Sequence, residues 1–341
     1  MITFFTCPKP FTNDHIRTIQ INALRSWILL KPTPEIILLG KEAGIAEIAA
    51  EFNVHHTENI KYNKYGTPYL NSVFETGQIL AQNEIVCYLN SDIILLQDLM
   101  NAVKRVYQLR KRFLIVGQRW NLDVSHPINF TAPNWAQKLR LDVRKKGLLQ
   151  RDGIDFFIFP SELLGRLPPF ILGRIGWDYW PTWRARSINI PVIDITPTVT
   201  VIHQNHDYSH LIRRRKGSEA IWKLPEAIRN QKLAGGWLYY YSVRQATYRL
   251  TPQGFGRYRY FHPFTERFMI IFIRLIYRKV YPHFRRLWRK NLRRSQRLWE
   301  RILWSFPRGL RNKVKKKRIK FKFPPTLITA INQKLESYLW L

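Results

Sequence analysis

Strand-like and helix-like segments alternate along residues 2–118, and this alternation limits the folds that are open to the chain. Short apolar runs occupy 2–7, 35–40, 85–96 and 113–118, and the spacing of apolar residues predicts helices over 15–30, 45–52, 68–82 and 97–111. Strands that are apolar throughout, with helices between them, are typical of a mostly parallel sheet covered on both faces. We therefore predict an α/β, Rossmann-like fold for this part of the chain.

The third apolar run is interrupted by three polar residues. Within VCYLNSDIILL (86–96), Asn90, Ser91 and Asp92 stand between two apolar stretches. In parallel sheets, ligands bind beyond the carboxyl ends of the strands, and a buried carboxylate there is costly unless something pairs with it. A metal ion, alone or carrying phosphate, is one candidate partner, because hard cations prefer oxygen ligands.

Composition narrows the partners and the compartment. The net charge of +33 favours partners with phosphate, namely nucleic acid, anionic lipid or nucleotide. Cys7 and Cys87 are the only cysteines, so neither a disulfide framework nor a cysteine zinc site is expected. The stretch MITFFTCPKPF lacks the features of a secretory signal, and no uncharged apolar run reaches about 18 residues. These features predict a cytoplasmic protein without a spanning helix.

Six segments, in order, resemble the motifs of nucleotide-sugar glycosyltransferases with the GT-A fold, in particular the bacterial family-2-like enzymes. They are TCPKPF (6–11), NKYGTPYLNSVF (63–74), LNSDIILL (89–96), DGIDFFIFP (152–160), GWDYW (176–180) and VIHQNHDYSH (201–210). The resemblance covers roughly residues 1–215. It implies the transfer of a sugar from a nucleotide diphosphate to an acceptor hydroxyl, assisted by a metal ion.

The resemblance implies a nucleotide-binding half with a metal at its edge. Asp92 corresponds to the last residue of the Asp-X-Asp motif, which holds Mn²⁺ or Mg²⁺ against the diphosphate. Asn90 replaces the first carboxylate, and its amide can still contact ribose or a metal-bound water. Thr6, Pro8 and Lys9 in the first loop, together with Ser91, are also implied around the donor. So are Asn63, Gly66 and Thr67, which precede a helix whose N-terminal amides could face phosphate.

The resemblance also implies the residues of the acceptor half. Asp178 in GWDYW, just before a helical stretch to Ser187, is the implied general base, and Asp155 is a second carboxylate that could contact the donor sugar. A late histidine often completes the metal site, and the segment 201–210 offers His203 and His206 first, then His210. An aromatic-rich set could stack on sugar rings: Trp120, Trp135, Trp177, Tyr179, Trp180 and Trp183.

Each of these residues also has a plainer interpretation. Asp92 could be a turn residue, Asp178 could cap the helix that follows it, and Asp155 could lie at a strand edge. The histidines could be ordinary loop residues, Thr67 could be a helix cap, and the aromatic residues could belong to the core. The sequence alone leaves these alternatives open.

The end of the chain differs from the rest in its charge. Residues 257–322 contain 23 Lys and Arg residues but 2 Asp and Glu residues. The pattern over 264–323 predicts basic amphipathic helices with tryptophans, which favour an anionic membrane surface over nucleic acid or a solvated tail. We predict a catalytic domain over 1–250, with a nucleotide-binding half (1–118) and an acceptor half (119–250), and a basic region over 251–341.

The prediction for the whole chain is a cytoplasmic, peripherally membrane-associated glycosyltransferase of the hexosyltransferase type. It would move a sugar from a nucleotide-sugar donor, with a UDP-sugar favoured, to the hydroxyl of an unknown sugar, lipid or protein acceptor with inversion. The alternatives are a catalytically silent protein of the same fold, suggested by Asn90, and a basic nucleic-acid-binding protein.

Overall fold

The fold is that of a computed structural model, which describes residues 2–150, 153–206, 224–235 and 241–258. A nine-stranded sheet forms its centre, with the strand order β13-β12-β10-β6-β9-β4-β1-β2-β3. Its strands are β1 (Ile2–Thr6), β2 (Glu35–Leu39), β3 (His55–Thr57), β4 (Ile85–Leu89), β6 (Leu114–Val116), β9 (Phe156–Pro160), β10 (Val192–Asp194), β12 (Tyr248–Thr251) and β13 (Gly254–Arg257).

Most neighbouring strands in this sheet are parallel, as the continuous apolar runs predict. The pairs β1–β2, β1–β4, β2–β3, β6–β10 and β10–β12 are parallel. The strand β9 runs antiparallel between β4 and β6. Because β9 is inverted, its first residue, Phe156, pairs with Leu89 at the end of β4. Asp155 therefore lies at the same edge of the sheet as Asn90.

Helices cover both faces of the nine-stranded sheet. Helices α1 (Asp14–Ile28), α2 (Ile45–Glu51) and α4 (Gln97–Leu109) contribute to one apolar cluster, which includes Phe4 and Trp27. Helices α3 (Leu70–Leu80) and α6 (Trp180–Ser187) contribute to the other, which includes Phe5 and Phe74. Phe4 and Phe5 point to opposite faces because successive strand residues alternate. The predicted α/β fold, a mostly parallel sheet between helices, is confirmed.

A four-stranded sheet of order β5-β11-β7-β8 forms a second layer. It contains β5 (Ile93–Ile94), β7 (Arg119–Leu122), β8 (Leu148–Gln150) and β11 (Ile202–Gln204), and α5 (Trp135–Lys146) packs on it. The prediction of one strand over 85–96 is wrong, because β4 and β5 belong to different sheets. The polar residues 90–92 form the link at which the chain leaves one sheet for the other.

Two local features also differ from the predictions. Helix α3 begins at Leu70 with Tyr69 as its N-cap, so Thr67 is not the cap. Pro68 instead forms an isolated bridge with Tyr62. The β12–β13 hairpin spans residue 250, and the predicted division of the chain into two regions near that residue stays a prediction. Helix α7 (Pro225–Leu233) completes the described helices.

Part of the predictions falls outside the described residues. These are His210 and the basic segment over 264–323. In the part of the chain that the structure describes, no helix is both long enough and apolar enough to cross a membrane.

Candidate functional site

Asp92, His203 and His206 converge at the edge of the sheet where β4 ends. The Nε2 atom of His206 lies 3.1 Å from Oδ2 of Asp92, and the Nε2 atom of His203 lies 3.7 Å from the same oxygen. Asp92 precedes β5, whereas His203 belongs to β11 and His206 follows it. Antiparallel pairing of β5 with β11 places His203 opposite Ile93 and so brings the histidines to the carboxylate.

The charges in this cluster favour an ionised aspartate next to a neutral histidine. Burial acts to raise the pKa of Asp92, but His203, His206 and Lys9 outweigh it and hold the pKa well below its ordinary value. Burial lowers the pKa of His203, against the opposing effect of Asp92. A carboxylate and a neutral imidazole are the protonation states in which these side chains bind metals.

The donor atoms of this cluster fit a divalent cation. One ligand atom from each of the three residues lies within 4.8 Å of the others. The buried Oδ1 of Asp92 and Nδ1 of His203 have no hydrogen-bond partner. Buried polar atoms without a partner are costly and call for an explanation. An ion bound between a carboxylate and imidazoles, a donor set acceptable to Mn²⁺, provides one.

Buried amide side chains hold the cluster to the surrounding loops. Gln204 donates from Nε2 to the backbone oxygens of Asp92 at 3.0 Å and Ile19 at 2.7 Å. Gln20 accepts at Oε1 from the backbone amide of Lys9 and from the Ser91 hydroxyl, each at 2.7 Å. Both glutamines are buried. The loops that follow β1 and β4 are therefore fixed relative to each other.

Asn90 and Asp155 form a second polar group beside the first. The Nδ2 atom of Asn90 donates to Oδ1 of Asp155 at 3.0 Å, and the Tyr88 hydroxyl donates to Oδ1 of Asn90 at 3.3 Å. Arg119 forms a partly buried ion pair with Oδ2 of Asp155. Both carboxylate oxygens of Asp155 are therefore engaged by protein groups.

Asp178 lies close to this second group. It is two residues before α6, whose N-cap is Tyr179 without a side-chain cap bond, so the plain capping role is not observed. Burial raises the pKa of Asp178 to about 7, and Asp155 adds to the rise, while backbone hydrogen bonds and Arg119 oppose it. Its Oδ1 atom is buried without a hydrogen-bond partner. The side chain is thus poised to gain or lose a proton near neutral pH.

The residues predicted in the first loop lie where β1 ends. Thr6 and Pro8 are buried, and Oγ1 of Thr6 has no hydrogen-bond partner. Next to them, burial and the charge of Glu42 raise the pKa of the Cys7 thiol, and burial also raises the pKa of Glu42. These residues at the ends of β1 and β2 continue the edge of the sheet on which Asp92 lies.

Asn63, Gly66 and Thr67 form a tight loop. Oδ1 of Asn63 accepts from the amides of Tyr65 and Thr67, and its Nδ2 donates to Glu226 at 2.6 Å. Gly66 has a φ of 78°, which favours glycine. The first amide of α3, at Leu70, donates to the oxygen of Phe170. These contacts give the loop a structural role, and its predicted contact with phosphate stays a prediction.

Half of the predicted aromatic set belongs to the core. Trp177, Tyr179 and Trp180 are buried. The ring centroid of Trp177 lies 5.5 Å from that of Tyr88 and 5.8 Å from that of Phe157. The remaining three, Trp120, Trp135 and Trp183, are partly exposed.

Three site residues were missed from the sequence. Gln20 and Gln204 carried no distinct signal, because the buried face of α1 also holds Asn22 and Ser26, and β11 also holds His203. Arg119 carried none, because its partner Asp155 is 36 residues away in the sequence.

No protein-family model and no curated protein matches the chain. Among solved structures, TarS from S. aureus in complex with UDP-GlcNAc is similar, with 13% identity, a TM-score of 0.43, and coverage of 70% of this chain and 72% of that one. Glucosyl-3-phosphoglycerate synthase from Mycobacterium tuberculosis, in complex with Mn²⁺, UDP and glucosyl-3-phosphoglycerate, has 15% identity, a TM-score of 0.41, and coverage of 69% of this chain and 80% of that one.

A third similar structure is GalNAc-T7 with UDP, GalNAc and Mn²⁺, at 12% identity and a TM-score of 0.43. That match covers 69% of this chain and 48% of GalNAc-T7. The similar structures are nucleotide-sugar glycosyltransferases, the same class that the sequence motifs resemble. Likeness at these TM-scores assigns neither a reaction nor a substrate to this chain.

Proposed function

We propose that the protein transfers a sugar from a nucleotide-diphosphate sugar, with a UDP-sugar favoured, to an acceptor hydroxyl. The observation that carries this proposal is the cluster of Asp92, His203 and His206 at the carboxyl edge of a mostly parallel sheet. This edge is where open α/β sheets bind nucleotides. A cation held by this cluster would attract the negatively charged diphosphate of such a donor.

Asp92, His203 and His206 would hold Mn²⁺ or Mg²⁺, which when bound would supply positive charge to neutralise the leaving nucleoside diphosphate. The first loop, with Thr6, Pro8 and Lys9, borders the nucleotide. The buried contacts of Gln20 and Gln204 keep the ligand-bearing loops in place. A preorganised set of ligands costs little reorganisation when the donor binds.

Asp178 is the proposed general base that removes the proton from the acceptor hydroxyl. Its pKa of about 7 keeps a substantial fraction ionised near neutral pH while leaving it basic enough to take a proton. Asp155 is poorly placed to act as a nucleophile, because Asn90 and Arg119 bind its two carboxylate oxygens. A single displacement with inversion therefore suits these residues better than a covalent sugar intermediate.

Calorimetry tests the proposal by measuring the binding of UDP and GDP with and without Mn²⁺. We expect one nucleotide to bind in the presence of Mn²⁺ and the Asp92→Asn variant to lose that metal-dependent binding. The matched control is Asp123→Asn, since Asp123 is an exposed carboxylate that hydrogen-bonds Asn205 near the cluster but is not one of its three ligands. Equal binding with and without metal, or equal binding by the Asp92→Asn variant, contradicts the proposed role of this cluster.

A further inference from the structure

Lys9 contacts the same histidine nitrogen that the proposed metal needs. Its Nζ atom lies 3.0 Å from Nε2 of His206, and that nitrogen lies 3.1 Å from Oδ2 of Asp92. An imidazole nitrogen offers either one lone pair or one proton. In the tautomer that is protonated at Nδ1, the lone pair of Nε2 can accept a hydrogen bond from the Lys9 ammonium or bind a cation, but it cannot do both at once.

The backbone of Lys9 is held in place. Gln20 accepts from the amide of Lys9 at 2.7 Å and donates to its oxygen at 3.0 Å. The same Oε1 of Gln20 also accepts from Ser91, the residue before Asp92. The base of the lysine is thus tied to the aspartate loop through the buried side chain of Gln20.

The ammonium group of Lys9 also places positive charge next to Asp92, as a bound metal ion would. It carries one positive charge beside the carboxylate of Asp92, whose pKa it helps to lower. A divalent ion held by Asp92 and His206 would lie within a few ångströms of this ammonium, and like charges at such distances repel strongly in a partly buried site. A diphosphate provides the negative charge that can draw the lysine away.

We propose that Lys9 competes with the metal for His206 in the nucleotide-free protein and moves to the diphosphate when the donor binds. This inference rests on the proposed function, since it assigns Lys9 a second position on the donor. By drawing Lys9 away from His206, UDP should tighten the binding of Mn²⁺. Because such coupling is reciprocal, Mn²⁺ should tighten the binding of UDP by the same factor. Lys9 is the residue that couples them.

The test measures the dissociation constant of Mn²⁺ by calorimetry, without nucleotide and with saturating UDP. It compares the wild type with Lys9→Gln, which removes the charge but keeps a hydrogen-bond donor, and with Lys9→Met, which removes both. The matched control is Lys104→Met, since Lys104 is an exposed lysine on α4 and its loss changes the net charge equally. Circular dichroism melts establish that each variant is folded.

We expect both Lys9 variants to bind Mn²⁺ at least about tenfold more tightly than the wild type without nucleotide. With UDP bound, this advantage should disappear or reverse, so that the factor by which UDP tightens Mn²⁺ binding falls in both variants. The Lys104→Met control should retain the wild-type values in both conditions.

The outcomes separate this inference from the proposed function. If Mn²⁺ binds the wild type and both Lys9 variants equally with and without UDP, the competition is refuted while the metal site stands. If the Lys9 variants gain Mn²⁺ affinity but no protein binds UDP, the competition at His206 is supported and the donor assignment fails. If no protein binds Mn²⁺ in either condition, both the inference and the metal site are refuted.

Discussion

The side-chain amide of Asn90 donates a hydrogen bond of 3.0 Å to Oδ1 of Asp155. This contact gives a physical reason for the amide at the first position of the motif, where the resembling family commonly has a carboxylate. An aspartate at position 90 would direct its charge at Asp155 from the adjacent strand end. The amide at position 90 therefore avoids repulsion with the carboxylate of Asp155. The departure from Asp-X-Asp does not by itself indicate a silent protein.

Asn90→Asp should lower the free energy of unfolding by roughly 1–3 kcal/mol, because a hydrogen-bond donor is replaced by a like charge in a partly buried site. Urea unfolding of the purified variants measures this change. Asn90→Ala is the matched control, since it removes the hydrogen bond without adding charge and should cost less. If the aspartate and alanine variants are equally stable, charge repulsion at this position is not significant.

Asp178 should make the protein less stable as the pH rises from about 4 to about 7. Its pKa in the folded protein is about 7 against an ordinary value of 3.8. Below both values the carboxyl group is protonated in both states and has no effect. As the pH rises, the unfolded chain ionises first, so the free energy of unfolding falls by up to about 4 kcal/mol, and by less where water reaches the partly exposed side chain.

Unfolding in urea across this pH range, compared between the wild type and Asp178→Asn, isolates that contribution. The asparagine variant should lack this part of the slope and should be the more stable protein at neutral pH. An unchanged difference between the two proteins from pH 4 to pH 8 would show that the folded carboxyl group has an ordinary pKa.

The general positions of the site could be predicted from the sequence, because they depend on local patterns. The apolar run that ends at Leu89 predicts a buried strand, and the polar residues after it mark the edge at which ligands bind. Helix α1 begins at Asp14, directly after Asn13, whose side chain caps the helix by accepting from the amide of Ile16 at 3.0 Å. Such features involve residues within one element and its ends.

Features that depend on distant pairing could not be predicted. Residues 93–96 continue the apolar run of β4, yet Ile93 and Ile94 pair with β11, more than a hundred residues later. The antiparallel insertion of β9 brings Asp155 to Asn90, and the pairing of Arg119 with Asp155 follows from it. The polar residues 90–92 mark a break in the run, but nothing local in the sequence shows that Ile93 and Ile94 pair with β11 or that Arg119 pairs with Asp155.

Transfer activity should depend on the ionised form of Asp178. If Asp178 is the base, the rate with a saturating donor should rise with pH and level off above about 7, in step with its pKa. Asp178→Asn should lower the rate by roughly 10²–10⁴-fold. The rate of UDP release, which reports both hydrolysis and transfer of the sugar, is measured across the pH range and checks both effects.

Metal-dependent binding of UDP to Asp178→Asn is the control for this experiment. It should remain close to that of the wild type, because Asp178 is not among the three residues of the metal cluster. Loss of nucleotide binding together with activity would instead place Asp178 in the donor site and remove its assignment as the base.

Trp177 should contribute to stability. Its ring packs between Tyr88 and Phe157 in the core, with 7% of the residue exposed. Trp177→Ala should therefore lower the free energy of unfolding by about 3–5 kcal/mol. Trp183→Ala, at a partly exposed position on α6, is the comparison and should cost less. Equal losses would contradict the core position of Trp177.

Mn²⁺ should raise the melting temperature of the wild type when UDP is present, because a ligand that binds only the folded state stabilises it by mass action. His203→Ala should lose most of this increase, since one of the three ligand residues is missing. The matched control is His55→Ala, because His55 lies on β3, away from the cluster, and is exposed. Addition of EDTA should return the wild type to its metal-free melting temperature. A shift that persists in His203→Ala would mean that the ion binds elsewhere on the protein.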